Sequence, residues 1–210
     1  QAGVAKVIDA TTDEARILWE DRPLPRTAPH WSALLPLLTG RHYMGGLDPD
    51  GFIEHSAISF LNQLLDGRHI STWTDQQLEE YCRRYNIGWV VCWTSATVKR
   101  FAEWDGVQTS YPLVDDVAGY LFTLKRSERG YALKGRATLI HADTQHITLG
   151  DLVPDESGIV VLSLHWQAGL RATPSRVEIE REHCGHDPIG FIRLRTASPV
   201  ARVTLTWESH

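Results

Sequence analysis

The chain has 210 residues, 42% of them apolar, which is enough for one large or two small domains with a true core and excludes wholesale disorder. Twenty-one Lys and Arg stand against 26 Asp and Glu, a formal net charge of −5. Arg41, Arg68, Arg83, Arg84, Lys99 and Arg100 are scattered among acids instead of forming a phosphate-neutralising stripe, so nucleic acid is excluded as a partner.

Ala15-Arg-Ile-Leu-Trp-Glu20 has the character of a buried strand, and Arg22-Pro-Leu-Pro-Arg-Thr-Ala-Pro29 is a Pro-rich loop. Trp31, Leu34, Leu35 and Leu38 follow the i, i+3, i+4, i+7 spacing of a helix that Pro36 limits to about two turns. Thr39 to Gly51 is rich in Gly and Asp and reads as loop. Ser56 is expected to cap a helix with Ile58, Leu61, Leu64 and Leu65 on one face, ended by Asp66-Gly67. Thr74 and Gln77 form a capping box for a helix presenting Leu78, Tyr81, Cys82 and Tyr85. Ile87-Gly-Trp-Val-Val-Cys-Trp93 is a continuous apolar run, typical of a strand covered on both faces. Thr94 or Ser95 then caps a short helix with Val98, Phe101 and Ala102.

From about Val107 the period changes to two. Strands are expected at 120–125, 137–141, 147–149 and 159–166, and around Val177-Ile179 and Val203-Trp207, in the pattern of a β-sandwich. The expected class is α+β: a small α/β layer over residues 1–117, then an antiparallel β-sandwich over 118–210.

Polar chemistry concentrates between Thr39 and His55. Arg41 offers a two-pronged clamp for phosphate or carboxylate. His42 and Tyr43 sit beside it, and Gly45-Gly46 would let backbone N–H groups approach an anion. Asp48, Asp50, Glu54 and His55 are of the types that ligate a cation or sugar hydroxyls. The competing reading is a loop whose charges serve its own backbone. Asp48-Pro-Asp-Gly51 lacks the further ligands of a calcium loop. Glu182-His-Cys-Gly-His-Asp187 holds zinc-ligand types without a second spaced pair, and reads as a hairpin loop. Carboxylate pairs for glycoside hydrolysis could come from Asp48, Glu54, Asp115 and Asp116, and no nucleophile motif is present. Trp89 and Trp93 read as core. Trp73 is the candidate sugar-stacking surface, with a hydrophobic staple onto Leu78 as its alternative. Cys82, Cys92 and Cys184 are odd in number and widely spaced, against a disulfide framework, and the first two read as small buried hydrophobes. No cofactor or metal is expected.

Two stretches together carry a resemblance: His30-Trp-Ser-Ala-Leu-Leu-Pro-Leu-Leu-Thr-Gly-Arg-His-Tyr-Met-Gly-Gly-Leu47 and Tyr85-Asn-Ile-Gly-Trp-Val-Val-Cys-Trp93. They are similar to the soluble region that follows the membrane helices in GT-C type glycosyltransferases and the related YfhO-like bacterial membrane proteins. Ile159 to Gly169 resembles the closing β-sandwich of that region, although Leu170 stands where the family usually has Trp. The resemblance implies an extracytoplasmic accessory domain, not catalytic alone, that holds a sugar acceptor or a lipid-linked sugar donor. Its partners would be that carbohydrate and the transmembrane segments of the same parent chain. No run of about 18 apolar residues and no signal peptide occurs here. Gln1 in place of Met reads as the start of a fragment, with such segments expected outside it. The alternatives are a stand-alone carbohydrate-active hydrolase, or a carbohydrate-binding or interaction module without catalysis.

Overall fold

The computed structural model describes residues 2–21, 31–46, 56–114, 118–126, 130–185 and 187–207. The chain is α+β and divides into two compact units, residues 1–129 and 130–210.

In the first unit, α1 (Ala2–Ala10) leads into β1 (Arg16–Trp19). A 3-10 turn at Trp31–Leu34 runs on into α2 (Leu35–Thr39), followed by β2 (His42–Met44). Then come β3 (Phe60–Leu61), β4 (Leu64–Leu65) and β5 (Arg68–His69), α3 (Asp75–Arg84), β6 (Ile87–Cys92), α4 (Ser95–Ala102), β7 (Val107–Val114) and β8 (Ala118–Leu124). The main sheet has the order β2-β1-β6-β8-β7. Its first three strands are parallel, and β8 runs antiparallel to both β6 and β7.

Alternation along each strand sorts the core into two layers. Ile17, Trp19, Trp89, Val91, Leu113 and Leu121 face one side, where Val7 of α1 and Leu35 of α2 join them. α3 packs on β6, and α4 packs on β7 and β8. Phe101 of α4 lies 6.0 Å from the ring of Phe122, which alternates with Leu121 and therefore faces the other side. With helices on both faces, β6 is buried at every residue, as its unbroken apolar run predicts. Trp89 and Trp93 are core, and so are Cys82 and Cys92. Burial pushes the Cys82 thiol up to about 12 and raises that of Cys92 as well, so neither is a nucleophile at neutral pH.

The capping box of α3 forms as its sequence predicts. Thr74 Oγ1 accepts from Gln77 N, and Gln77 Oε1 accepts from Thr74 N.

The helix expected from Ser56 onward does not form. A short 3-10 turn at Ser56–Ile58 gives way to a three-stranded meander, β3-β4-β5. Its two connections are Asn62-Gln63 and Asp66-Gly67, all four residues at positive φ. Paired left-handed residues are the signature of tight hairpin turns and incompatible with a continuous helix.

The second unit is a β-sandwich. It contains β9 (Ala132–Lys134), β10 (Arg136–Ala142), β11 (His146–Val153), β12 (Ile159–His165), β13 (Leu170–Thr173), β14 (Glu178–Glu182), β15 (Phe191–Arg195) and β16 (Val200–Trp207). They form two antiparallel sheets, β10-β11-β16-β13 and β14-β15-β12-β9. Leu149, Val203 and Leu205 of one sheet share a core with Val160, Leu162, Ile192 and Leu194 of the other. The division between units falls at 129/130 instead of 117/118. Ala118–Leu124 keeps a two-residue period but pairs with β6 and β7, which makes it part of the first unit.

Candidate functional site

In open sheets with parallel strands, ligands gather at the carboxyl ends of the strands. Here that edge is formed by the ends of β2, β1 and β6. The first residue past β1 is Glu20, which is fully buried. Its Oε2 accepts from Trp93 N at 2.7 Å, Thr94 N at 3.0 Å and Thr97 Oγ1 at 2.6 Å, and its Oε1 accepts from Thr94 Oγ1 at 2.6 Å. Thr94 is the N-cap of α4 but makes no capping bond of its own. Glu20 therefore supplies the negative charge that the helix start favours, from a strand distant in sequence. A carboxylate holding four donors stitches β1 to β6 and is not presented to a ligand.

Gly45 and Gly46 serve packing in the same way. Both have positive φ, and a Cβ on Gly46 would lie 2.4 Å from Asp21 N and 2.7 Å from Trp19 O. The pair lets the chain leaving β2 press onto the end of β1, so the close approach is to its own backbone and not to an anion.

The expected site residues are placed as follows. Arg41 Nε donates to Thr11 O at 3.2 Å and to Thr11 Oγ1 at 3.3 Å, and Nη2 donates to Ile8 O at 3.4 Å. Its guanidinium closes the carboxyl end of α1, a site that favours a cation. The Nε–H and one Nη2–H, two of the donors an anion would use, are committed there. Tyr43 is half-buried, its hydroxyl accepts from Thr39 Oγ1, and its ring meets Trp19 edge-on. Trp73 is only 6% exposed. Arg68 covers its ring at 4.6 Å, Tyr81 meets it edge-on, and its carbonyl accepts two bonds from Arg100. It offers no stacking face to a sugar, which corrects that expectation. Trp73 and Leu78 occupy the two staple positions around the Thr74 cap and both are buried. Asp48, Asp50, Glu54 and His55, with Asp115 and Asp116, lie outside the described residues.

His42 is half-buried, and burial, then Arg16 and Arg41, lower its pKa against the opposing pull of Asp13. The unfolded chain takes up this proton near pH 6.5, before the folded one does. Stability from this group is therefore full above about pH 6.5 and declines as pH falls toward the lower folded value. Urea midpoints followed from pH 7 to 5 are expected to fall less in His42→Gln than in the parent chain. Equal slopes would contradict the assignment.

In the second unit Glu182 ends β14, paired with Phe191 of β15, and His183, Cys184, Gly185 and Asp187 lie in the connection between these two strands. Asp187 is buried, accepts from Ile189 N and Gly190 N, and pairs with His165 Nε2 at 2.8 Å. That network shapes the loop. A groove of about 500 Å³ runs past Arg136, Thr138, Asp151 and Pro199, and Asp151 is the only carboxylate among its described lining residues. Among the described residues no three His, Cys, Asp or Glu side chains are grouped so as to hold a metal ion.

Among the described residues, α2 also carries an exposed apolar side. Leu35 and Thr39 are the buried side of α2, whereas Leu34, Leu37 and Leu38 are 50%, 85% and 63% exposed. Their i, i+3, i+4 spacing puts all three on one outward face. The sequence contains two overlapping helical stripes, and the one through Leu37 is a surface that periodicity alone assigns to neither core nor solvent. Comparison with protein-family models, with curated proteins and with solved structures finds no match to this chain.

Proposed function

We propose that this chain is the water-facing accessory domain of a larger membrane-embedded, glycosyltransferase-like protein, on the extracytoplasmic side of a bacterial membrane. In that reading it helps hold a sugar acceptor or a lipid-linked sugar donor and leaves the chemistry to the membrane part. The observation that carries it is the outward face of Leu34, Leu37 and Leu38, which a protein surrounded only by water has reason to cover. The state of the polar residues supports an accessory role. Glu20, Arg41 and Trp73 are engaged in internal bonds, and among its described lining residues the groove of the second unit has one carboxylate where glycoside hydrolysis needs two. The sugar partner rests on the resemblance of the 30–47 and 85–93 segments alone.

Among the described residues no helix is long and apolar enough to cross a membrane, so the reading requires membrane segments elsewhere in the parent polypeptide. An antibody raised against this domain should detect, in membranes of the native cells, a polypeptide larger than 23.7 kDa that resists alkaline carbonate extraction. A species of 23.7 kDa released by carbonate would sink the proposal.

A further inference from the structure

We infer that the groove on the β10-β11-β16 side of the second unit holds a sugar residue of a neutral glycan; this rests on the accessory-domain reading and gives the sugar in it a place. Ala137 and Leu139 of β10 face the sandwich core, so Arg136, Thr138 and Ile140 alternate outward. Arg136 and Thr138 line the groove from β10 and Asp151 from β11, while Val153, Pro199 and Val200 supply an aliphatic wall. Its volume, about 500 Å³, lies within the roughly 300–1,000 Å³ of small-ligand sites.

Asp151 is set apart from other aspartates of its unit. Asp143, Asp155 and Asp187 each accept from two backbone N–H groups just ahead in sequence and so serve their own turns. The Asp151 carboxylate has no hydrogen bond or ion pair among the described residues. Leu149 and Leu152 both reach the core, and the φ of 48° at Asp151 permits that odd spacing within β11. Glycine or asparagine would suit that backbone as well, so the carboxylate itself is what lacks an internal role. Arg136 likewise has no partner among the described residues. On the opposite sheet, by contrast, Arg193 and Arg195 are laddered against Glu180 and Glu182.

A guanidinium and a carboxylate that line one groove without meeting call for a ligand with donors and acceptors side by side. An anion would face Asp151 and a cation would face Arg136. An apolar ligand would strip water from both without replacing its bonds. Adjacent sugar hydroxyls donate to the carboxylate, accept from the guanidinium and do either with Thr138, while the C–H face of the ring meets the aliphatic wall. A free zwitterion would match the two charges, but both positions are exposed, where single ion pairs hold little. A glycan adds contacts along an open groove. Ile140, 51% exposed and lying over Gly150, offers aliphatic surface to a neighbouring ring.

The test titrates the isotope-labelled 210-residue chain with the neutral trisaccharides maltotriose, mannotriose and chitotriose, and with trigalacturonate and alanine. At least one neutral trisaccharide, at millimolar concentration, should shift the amide signals of Asp151 and Val153. Asp151→Asn, which keeps the left-handed preference and removes the charge, and Arg136→Gln should each raise its dissociation constant at least about tenfold. Both positions are exposed, so urea midpoints should stay near that of the parent chain. No shift with any neutral trisaccharide, shifts confined to residues outside the groove, a dissociation constant unchanged in either variant, or tighter binding of trigalacturonate or alanine would each overturn the inference. If any of these occurs while the native polypeptide resists carbonate, the groove assignment fails and the accessory-domain reading stands. A neutral sugar bound in the groove of a polypeptide that carbonate releases separates the two in the opposite sense.

Discussion

Gly46→Ala should destabilise the first unit by about 3–5 kcal/mol, a large share of the 5–15 kcal/mol that holds a typical domain together. Two costs combine. Gly46 has a φ of 58°, where a side chain is strained, and its new Cβ would sit 2.4 Å from Asp21 N and 2.9 Å from Asp21 Cα. Those are backbone atoms, and they cannot step aside as the end of a flexible side chain could. Asp21 N also donates to Phe60 O, so displacing it disturbs the connection to β3 as well. Gly40→Ala separates the two costs. Gly40 has nearly the same φ, 63°, and nothing within 4 Å of a Cβ, so its substitution should cost only about 1–2 kcal/mol. Urea denaturation of both variants measures the difference. Equal losses would mean that the contact between the glycine pair and β1 is looser than described.

Glu20→Ala should cost about 3–5 kcal/mol, whereas Glu20→Gln should cost only about 1–2 kcal/mol. Removing the side chain strands Trp93 N and Thr94 N in the interior and leaves a void at the start of α4. The Thr97 hydroxyl is less affected, because it can fall back on Thr94 O, 2.8 Å away. Glutamine keeps the shape and one oxygen acceptor for the two backbone donors. Its NH2 group can donate to Thr94 Oγ1 once that hydroxyl turns, so only the charge-assisted part of the network disappears. Matching losses for the two variants would show that water satisfies the donors and that the carboxylate is no clasp.

Much of the architecture was legible because the sequence states it locally. The apolar run at Ile87–Cys92 announced a strand covered on both faces, and Thr74-Gln77 announced the start of α3. The meander at 60–69 was not legible, because Ile58, Leu61, Leu64 and Leu65 also fit a helical stripe. The deciding signal was Asp66-Gly67, which ends a helix and turns a hairpin equally well; only pairing of neighbouring strands chooses between them. The unit boundary was missed for a related reason. A period of two identifies a strand without saying which sheet it joins, and β8 joined the one before it.

The site was less legible than the fold. Glu20 and its donors are more than 70 residues apart in sequence, and no spacing rule links them. Arg41 has the composition of an anion clamp, but its neighbour proved to be the end of a helix whose existence near Thr11 was not apparent from the chain. Both are polar groups made interior by long-range packing, and packing is what a one-dimensional reading lacks.

The first helix has a role larger than its size. α1 is nine residues, about 13 Å of helix, yet it touches β7 at one border of the five-stranded sheet and is held by Arg41, the residue preceding β2 at the other. Lys6 rests over Tyr111 on the β7 side, so each border has a cation at its fastening. The helix acts as a diagonal lace across the sheet. Loosening either end would uncover the apolar face on which Val7 packs, so the helix keeps Trp19, Trp89 and Leu113 from water as well as tying the sheet's two borders together.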